Sequence, residues 1–461
     1  MSNLPSSKMT SFLTALVFHT LLSFPLLSIA QSREDKLLEQ RRKITELLSQ
    51  SDFAGEKPPT FLADGKLKTY DPVLLSVVAT LRSRLPEAPG AWKVSHLIAS
   101  SSNELSSCQG PFLYRYRRSL SGSPFTFVIL PGSFATMTRG SFLNQTTAAL
   151  DRKFGDPNIV AFDGFLSPAF LTGRCREIPW DGAKLAHDLL VRLASELPRT
   201  FKSFDPKHSG LIGYSGGAML ISAMLGHDGS NSRPTFGLGG IAFSPILHGS
   251  TTFHLLDRKF AQSAIDPELG LTTLDAENLA QMAKNHGPPH WDEIEGLYLK
   301  NPSNFLQRAF NEFSSVDLRA AVTATASNPW LSSLNFKATN ELRERKDMAK
   351  RPGYFDAFAK DGFGLGRNLS ATELEQEFDR VTDVRPLHRQ VRAPLLIYFS
   401  QDDPILSNAD RPEQPAAITQ ILKEAEKNPA ITVFNPIYGG HTGAGLDHIF
   451  DDLVGTFFDQ P

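Results

Sequence analysis

The chain has 461 residues, 41% hydrophobic and 21% charged, with 47 basic against 49 acidic side chains and a formal net charge of −2. That is ordinary globular composition, with enough apolar residues for a core that needs no disulfide. It excludes low-complexity and collagen-like chains, and the even charge balance argues against a nucleic-acid binder, which carries a basic excess.

The N-terminus reads as an export signal. Lys8 supplies a basic start, residues 11–27 are almost wholly apolar apart from His19 and Pro25, and Ser28-Ile29-Ala30 places small residues where signal peptidase cuts. A signal peptide is therefore expected over 1–30, giving an exported protein, periplasmic or secreted, that begins at Gln31. The apolar run is also just long enough to span a bilayer, so an uncleaved anchor is the alternative. After cleavage no stable membrane insertion is expected. Export would place Cys108 and Cys175 in an oxidising compartment, where they could pair or stay free. Neither has a second ligand at metal spacing, and no metal site is expected.

Residues 32–50 are charged and punctuated by Leu37, Leu38, Ile44, Leu47 and Leu48, the pattern of an amphipathic helix. A second helix is predicted over 71–85, ended by Pro86. We read 31–93 as an N-terminal helical extension. Short strands follow at 95–100, 112–118 and 125–130, and then strands and helices alternate. Strands are predicted at 158–162, 210–214, 238–243, 394–399 and 431–437, and helices at 180–197, 216–225, 415–427 and 446–458. Such alternation implies a mostly parallel sheet covered on both faces. Residues 250–388 break the rhythm: they are helical, aromatic-rich and irregular, and lie between two sheet strands. They are expected to form an inserted cap between a first core segment, 94–249, and a second, 389–461.

The strongest motif is Gly213-Tyr214-Ser215-Gly216-Gly217. A G-x-S-x-G frame alone is weak, but here an apolar strand precedes it and a helix follows. A tight strand–turn–helix corner pushes a serine oxygen out above the sheet, and the two outer glycines avoid a clash between strand and helix. A nucleophilic serine needs a base, and the base an orienting carboxylate. The strand at 394–399 runs into Asp402-Asp403-Pro404, at the C-terminal sheet edge where ligand chemistry occurs in parallel sheets. Asp403 is preferred, with Asp402 the rival. The strand at 431–437 runs through Gly439-Gly440 to His441, which is preferred to His448 because the latter falls in the predicted last helix. The Gly216 N–H faces a developing oxyanion, and the loop Leu130-Pro131-Gly132-Ser133-Phe134 is placed to add a second donor from Ser133 or Phe134. Two sequons, Asn144-Gln145-Thr146 and Asn368-Leu369-Ser370, would accept glycans in a eukaryotic secretory route.

These four elements, in this order, resemble the α/β-hydrolase superfamily over residues 95–249 and 389–461. The resemblance implies a serine hydrolase, usually an esterase or lipase, working through an acyl-enzyme without metal or organic cofactor. Ser215 would be the nucleophile, His441 the general base and acid, and Asp403 its orienting partner. The sequence departs from many relatives at the oxyanion loop, which is Pro131-Gly132 rather than His-Gly. A small-molecule or lipid-like acyl substrate is expected, and aromatic residues of the cap could line its pocket. Acyl transfer or peptide cleavage on the same triad is the nearest alternative, and a non-catalytic binding module on the same fold is the alternative from another class.

Overall fold

The computed structural model describes residues 34–51, 54–55, 92–97, 112–132, 141–164, 182–255, 369–403, 406, 415–441, 446 and 449–459. The expected signal peptide, the helix at 71–85, both cysteines, Ser133, Phe134, His448 and most of the 250–388 insertion lie outside them.

In chain order the elements are helix α1 (34–49), strands β1 (Lys93–Leu97), β2 (Phe112–Arg117) and β3 (Thr126–Leu130), α2 (Ser141–Phe154), β4 (Asn158–Phe162), α3 (Gly182–Thr200), β5 (Ser209–Tyr214), α4 (Gly216–Gly229), β6 (Gly239–Phe243), α5 (Ala371–Thr382), α6 (Arg385–His388), β7 (Leu395–Tyr398), α7 (Ala416–Ala425), β8 (Ile431–Phe434) and α8 (Phe450–Phe458). The strands form one sheet in the order β1-β2-β4-β3-β5-β6-β7-β8. β2 pairs antiparallel with both β1 and β4, and every other pairing is parallel. The parallel strands β3 to β7 are buried along their whole length, as doubly covered strands must be.

Helices cover both faces. Leu185, Leu189 and Leu193 of α3, the length of α4, Phe378 of α5, Leu387 of α6 and Ile418 and Ile421 of α7 share one apolar cluster with the sheet. Ile44 and Leu48 of α1, Leu143 and Leu150 of α2, and Leu453, Val454 and Phe457 of α8 form the other. α4 is apolar almost all round, so it must sit where both its sides are covered. α1 is amphipathic as its pattern predicts: Ile44 and Leu48 are buried, Leu38 is exposed, and the Gln40 amide donates to the Phe457 carbonyl at 2.7 Å. α5 and α6 fall inside the predicted insertion, yet their apolar residues Phe378, Val381, Val384 and Leu387 pack into the core beside α3 and α4.

Several boundaries differ from expectation for identifiable reasons. The predicted helix at 180–197 stops short of Pro198, but α3 runs on to Thr200, because the ladder resumes with the Phe201 N–H on the Leu197 carbonyl at 2.9 Å. α8 begins at Phe450 rather than 446. α2 has no counterpart in the predicted elements. Its polar run Asn144-Gln145-Thr146-Thr147 hides the helical period, yet Thr146 and Thr147 are fully buried and the Thr146 and Tyr214 hydroxyls lie 2.6 Å apart. The first sequon therefore sits on a helix with its threonine enclosed, unlike the surface loop a glycan acceptor needs. Among the described residues, no helix is long and apolar enough to cross a membrane.

Candidate active site

Ser215 joins β5 to α4. Its backbone lies at φ 53° and ψ −119°, a region that L-residues rarely enter and that costs about 1–3 kcal/mol. The corner is fixed from both sides. The Ser215 N–H donates to the Phe243 carbonyl at 2.8 Å, and the Ser215 carbonyl accepts from Met219 at 3.2 Å as α4 begins. Close backbone approach explains the flanking glycines. A Cβ at Gly213 would stand 2.6 Å from the Gly217 oxygen, and one at Gly217 only 2.6 Å from the Leu130 carbonyl carbon, with the Leu130 and Pro131 oxygens nearer still. Ser215 is half-buried, and its side chain makes no cap bond to the helix. The Gly216 N–H lies at the helix N-terminus, where the first amides have no carbonyl partner within the helix.

The loop leaving β3 reaches this corner. A Cβ at Gly132 would be 3.5 Å from the Ser215 Cβ, so Pro131-Gly132 lies beside the serine as the sequence suggests. Ser133 and Phe134 follow directly but are outside the described residues.

Asp403 follows β7 and His441 follows β8. They meet: His441 Nδ1 lies 2.7 Å from Asp403 Oδ2, with the Asp403 side chain fully buried and that of His441 9% exposed. The other carboxylate oxygen, Oδ1, accepts from the Leu406 N–H at 3.0 Å. An ionised Asp403 takes the Nδ1 proton as its hydrogen bond, which leaves Nε2 as the acceptor of the ring. β5 to β8 are parallel neighbours, so Ser215, Asp403 and His441 all leave the sheet at one edge. Asp402, the rival acid, turns elsewhere: its Oδ1 accepts from the Gly440 N–H at 3.0 Å and from the Ser400 hydroxyl.

Sequence reasoning did not single out Tyr398 or Ser400. Tyr398 ends β7 and lies under the histidine loop, where a Cβ on Gly439 would collide with its hydroxyl. Burial, with the charges of Asp402 and Asp403 beside it, pushes the Tyr398 phenol well above its usual range, so it stays neutral. The visible signal was its place four residues before Asp402 on a buried strand. Among the described residues no group of three or more His, Cys, Asp or Glu could hold a metal ion.

The strand order, with one antiparallel strand before a parallel run and a strained serine at the end of β5, is that of an α/β-hydrolase fold. No protein-family model and no curated protein matches the chain. Among solved structures it is similar to an esterase from Pyrococcus furiosus, at 13% identity over 85% of this chain and 94% of that one, with a TM-score of 0.41. A 2,6-dihydroxy-pseudo-oxynicotine hydrolase matches at 12% identity over 81% of this chain and 68% of its own, with a TM-score of 0.41. An acylaminoacyl peptidase from Pyrococcus horikoshii matches at 13% identity over 80% of this chain and 41% of its own, with a TM-score of 0.39.

Proposed function

We propose that the chain is a serine hydrolase that cleaves a carboxylic ester or related acyl bond through an acyl-enzyme on Ser215. The observation that carries this reading is the buried His441–Asp403 pair, leaving the same sheet edge as the strained Ser215. His441 takes the Ser215 hydroxyl proton through Nε2 as the oxygen attacks the acyl carbon. Asp403 holds the ring's tautomer and stabilises the imidazolium. The Gly216 N–H and one from Ser133 or Phe134 receive the oxyanion. His441 returns the proton to the leaving group, then activates water to release the acid. The substrate is a small or lipid-like acyl compound, and residues 1–30 are an export signal that delivers the enzyme to the periplasm or the medium.

Fluorophosphonate labelling tests the reading. Wild type is expected to label and Ser215→Ala not to, with p-nitrophenyl esters of increasing chain length sizing the acyl pocket. Equal labelling of both proteins, or none of a well-folded wild type, would sink it. Ester turnover that depends on an added alcohol or amine would favour acyl transfer over hydrolysis.

A further inference from the structure

We infer that Asp402 is a positioning residue: its carboxylate locks the turn that carries His441, while Asp403 supplies the charge beside the ring. The inference rests on the reading of His441 as the base. Two adjacent carboxylates, 3% and 0% exposed, leave β7 and serve different partners. Beyond the strands, β7 and β8 stay laced together step by step. The Phe399 N–H donates to the Phe434 carbonyl at 2.9 Å and the Gln401 N–H to the Pro436 carbonyl at 2.8 Å. The Gln401 amide reaches the Asn435 carbonyl at 3.2 Å. Asp402 then accepts from Gly440, and Asp403 meets His441. The Asp402–Gly440 bond is thus the tie immediately before the ring.

That tie has something to restrain. Gly439 and Gly440 both have positive φ, 149° and 65°, and two successive glycines are the least constrained backbone a chain can offer. Tyr398 closes the space under Gly439, and the Ser400 hydroxyl, donating to the same Asp402 oxygen, holds the carboxylate in place. An acceptor is what this position needs. An asparagine oxygen would accept the same two bonds without the charge, whereas an alanine would remove the acceptor that the Gly440 N–H and the Ser400 hydroxyl share.

The full-length chain carrying Asp402→Ala, Asp402→Asn or Asp403→Asn separates position from charge. Turnover of p-nitrophenyl acetate, the second-order rate of fluorophosphonate labelling, and the low-field proton resonance of the His441 Nδ1–H would be measured for each. Asp402→Ala is expected to lower kcat and labelling about 100-fold, as a misplacement of about 1 Å can, with KM changed less than about twofold and the proton resonance broadened. Asp402→Asn should stay within about threefold of wild type and keep the resonance. Asp403→Asn should lose about three to four orders of magnitude. Asp402→Asn falling as far as Asp403→Asn would overturn the inference, as would Asp402→Ala turning over at the wild-type rate. If Asp402→Ala does not fold, the isosteric Asn pair still decides. If wild type does not label at Ser215, the hydrolase reading falls, yet the resonance in the Asp402 variants still reports whether this residue holds His441.

Discussion

The Tyr398 hydroxyl is fully enclosed and has no hydrogen-bond partner among the described residues. A buried hydroxyl without a partner costs about 1–3 kcal/mol, so Tyr398→Phe should raise stability by about 1 kcal/mol in urea unfolding and leave ester turnover intact. A loss of stability would mean that the hydroxyl is satisfied in solution. The same ring dictates its neighbour. Gly439 has φ 149°, and an added Cβ would run into the Tyr398 oxygen. Gly439→Ala should therefore cost about 2 kcal/mol or more and depress activity through His441, two residues on. Removing the opposing atom should recover part of that loss, so the double variant with Tyr398→Phe is expected to be more stable than the sum of the single effects. Strict additivity in the cycle would mean that the two sites do not touch.

At the scale of elements, the decisive unit is β5–Ser215–α4, and its tightest point is Gly217 against the exit of β3. Gly217→Ala would drive a methyl into the Leu130 and Pro131 carbonyls. Leu130 is paired with Gly213 in the middle of the sheet and cannot retreat, so about 3 kcal/mol of destabilisation is expected, with labelling at Ser215 slowed at least about tenfold; unfolding by urea and probe kinetics check the two. This unit was legible in the sequence because an apolar strand, a glycine-bounded serine and an apolar helix follow one another without interruption. The strands that deliver Asp403 and His441 were legible for the same reason, as buried runs ending in turn residues. The preference for Asp403 over Asp402 rested only on the proline that follows it. Two neighbouring residues in a loop have no period, and which carboxylate reaches the ring depends on how β7 and β8 stay laced beyond their ends. α2 was hidden by two threonines that the fold buries, one of them hydrogen-bonded to Tyr214. The antiparallel pairing of β2 with β4 was hidden because β4 neighbours β2 only after β3 has been inserted further along the sheet.

The described residues form a sheet held between two apolar layers, so stability responds to any charge placed in either. His388 ends α6 within the layer that holds α4. It is 3% exposed, and neither ring nitrogen has a partner among the described residues. Burial lowers its pKa from 6.5 to about 4; Asp383 opposes that shift and Arg385 adds to it. The folded state therefore resists a proton that the unfolded chain takes up at the ordinary value. The stability this confers is complete above about pH 6.5, declines as pH falls, and levels off below about pH 4. A difference between 6.5 and about 4 is worth about 3 kcal/mol at about 1.4 kcal/mol per unit, a large part of the net stability of most domains. Replacing the ring by an apolar side chain of similar size, His388→Leu, removes the proton site while filling the space. Urea unfolding of both proteins at pH 7.5 and pH 4.5 isolates the effect, because every other titrating group is common to the two. The wild type should lose about 2–3 kcal/mol more than the variant between these pH values. Parallel losses would show that His388 is protonated as easily folded as unfolded, and that acid enters this protein by another route.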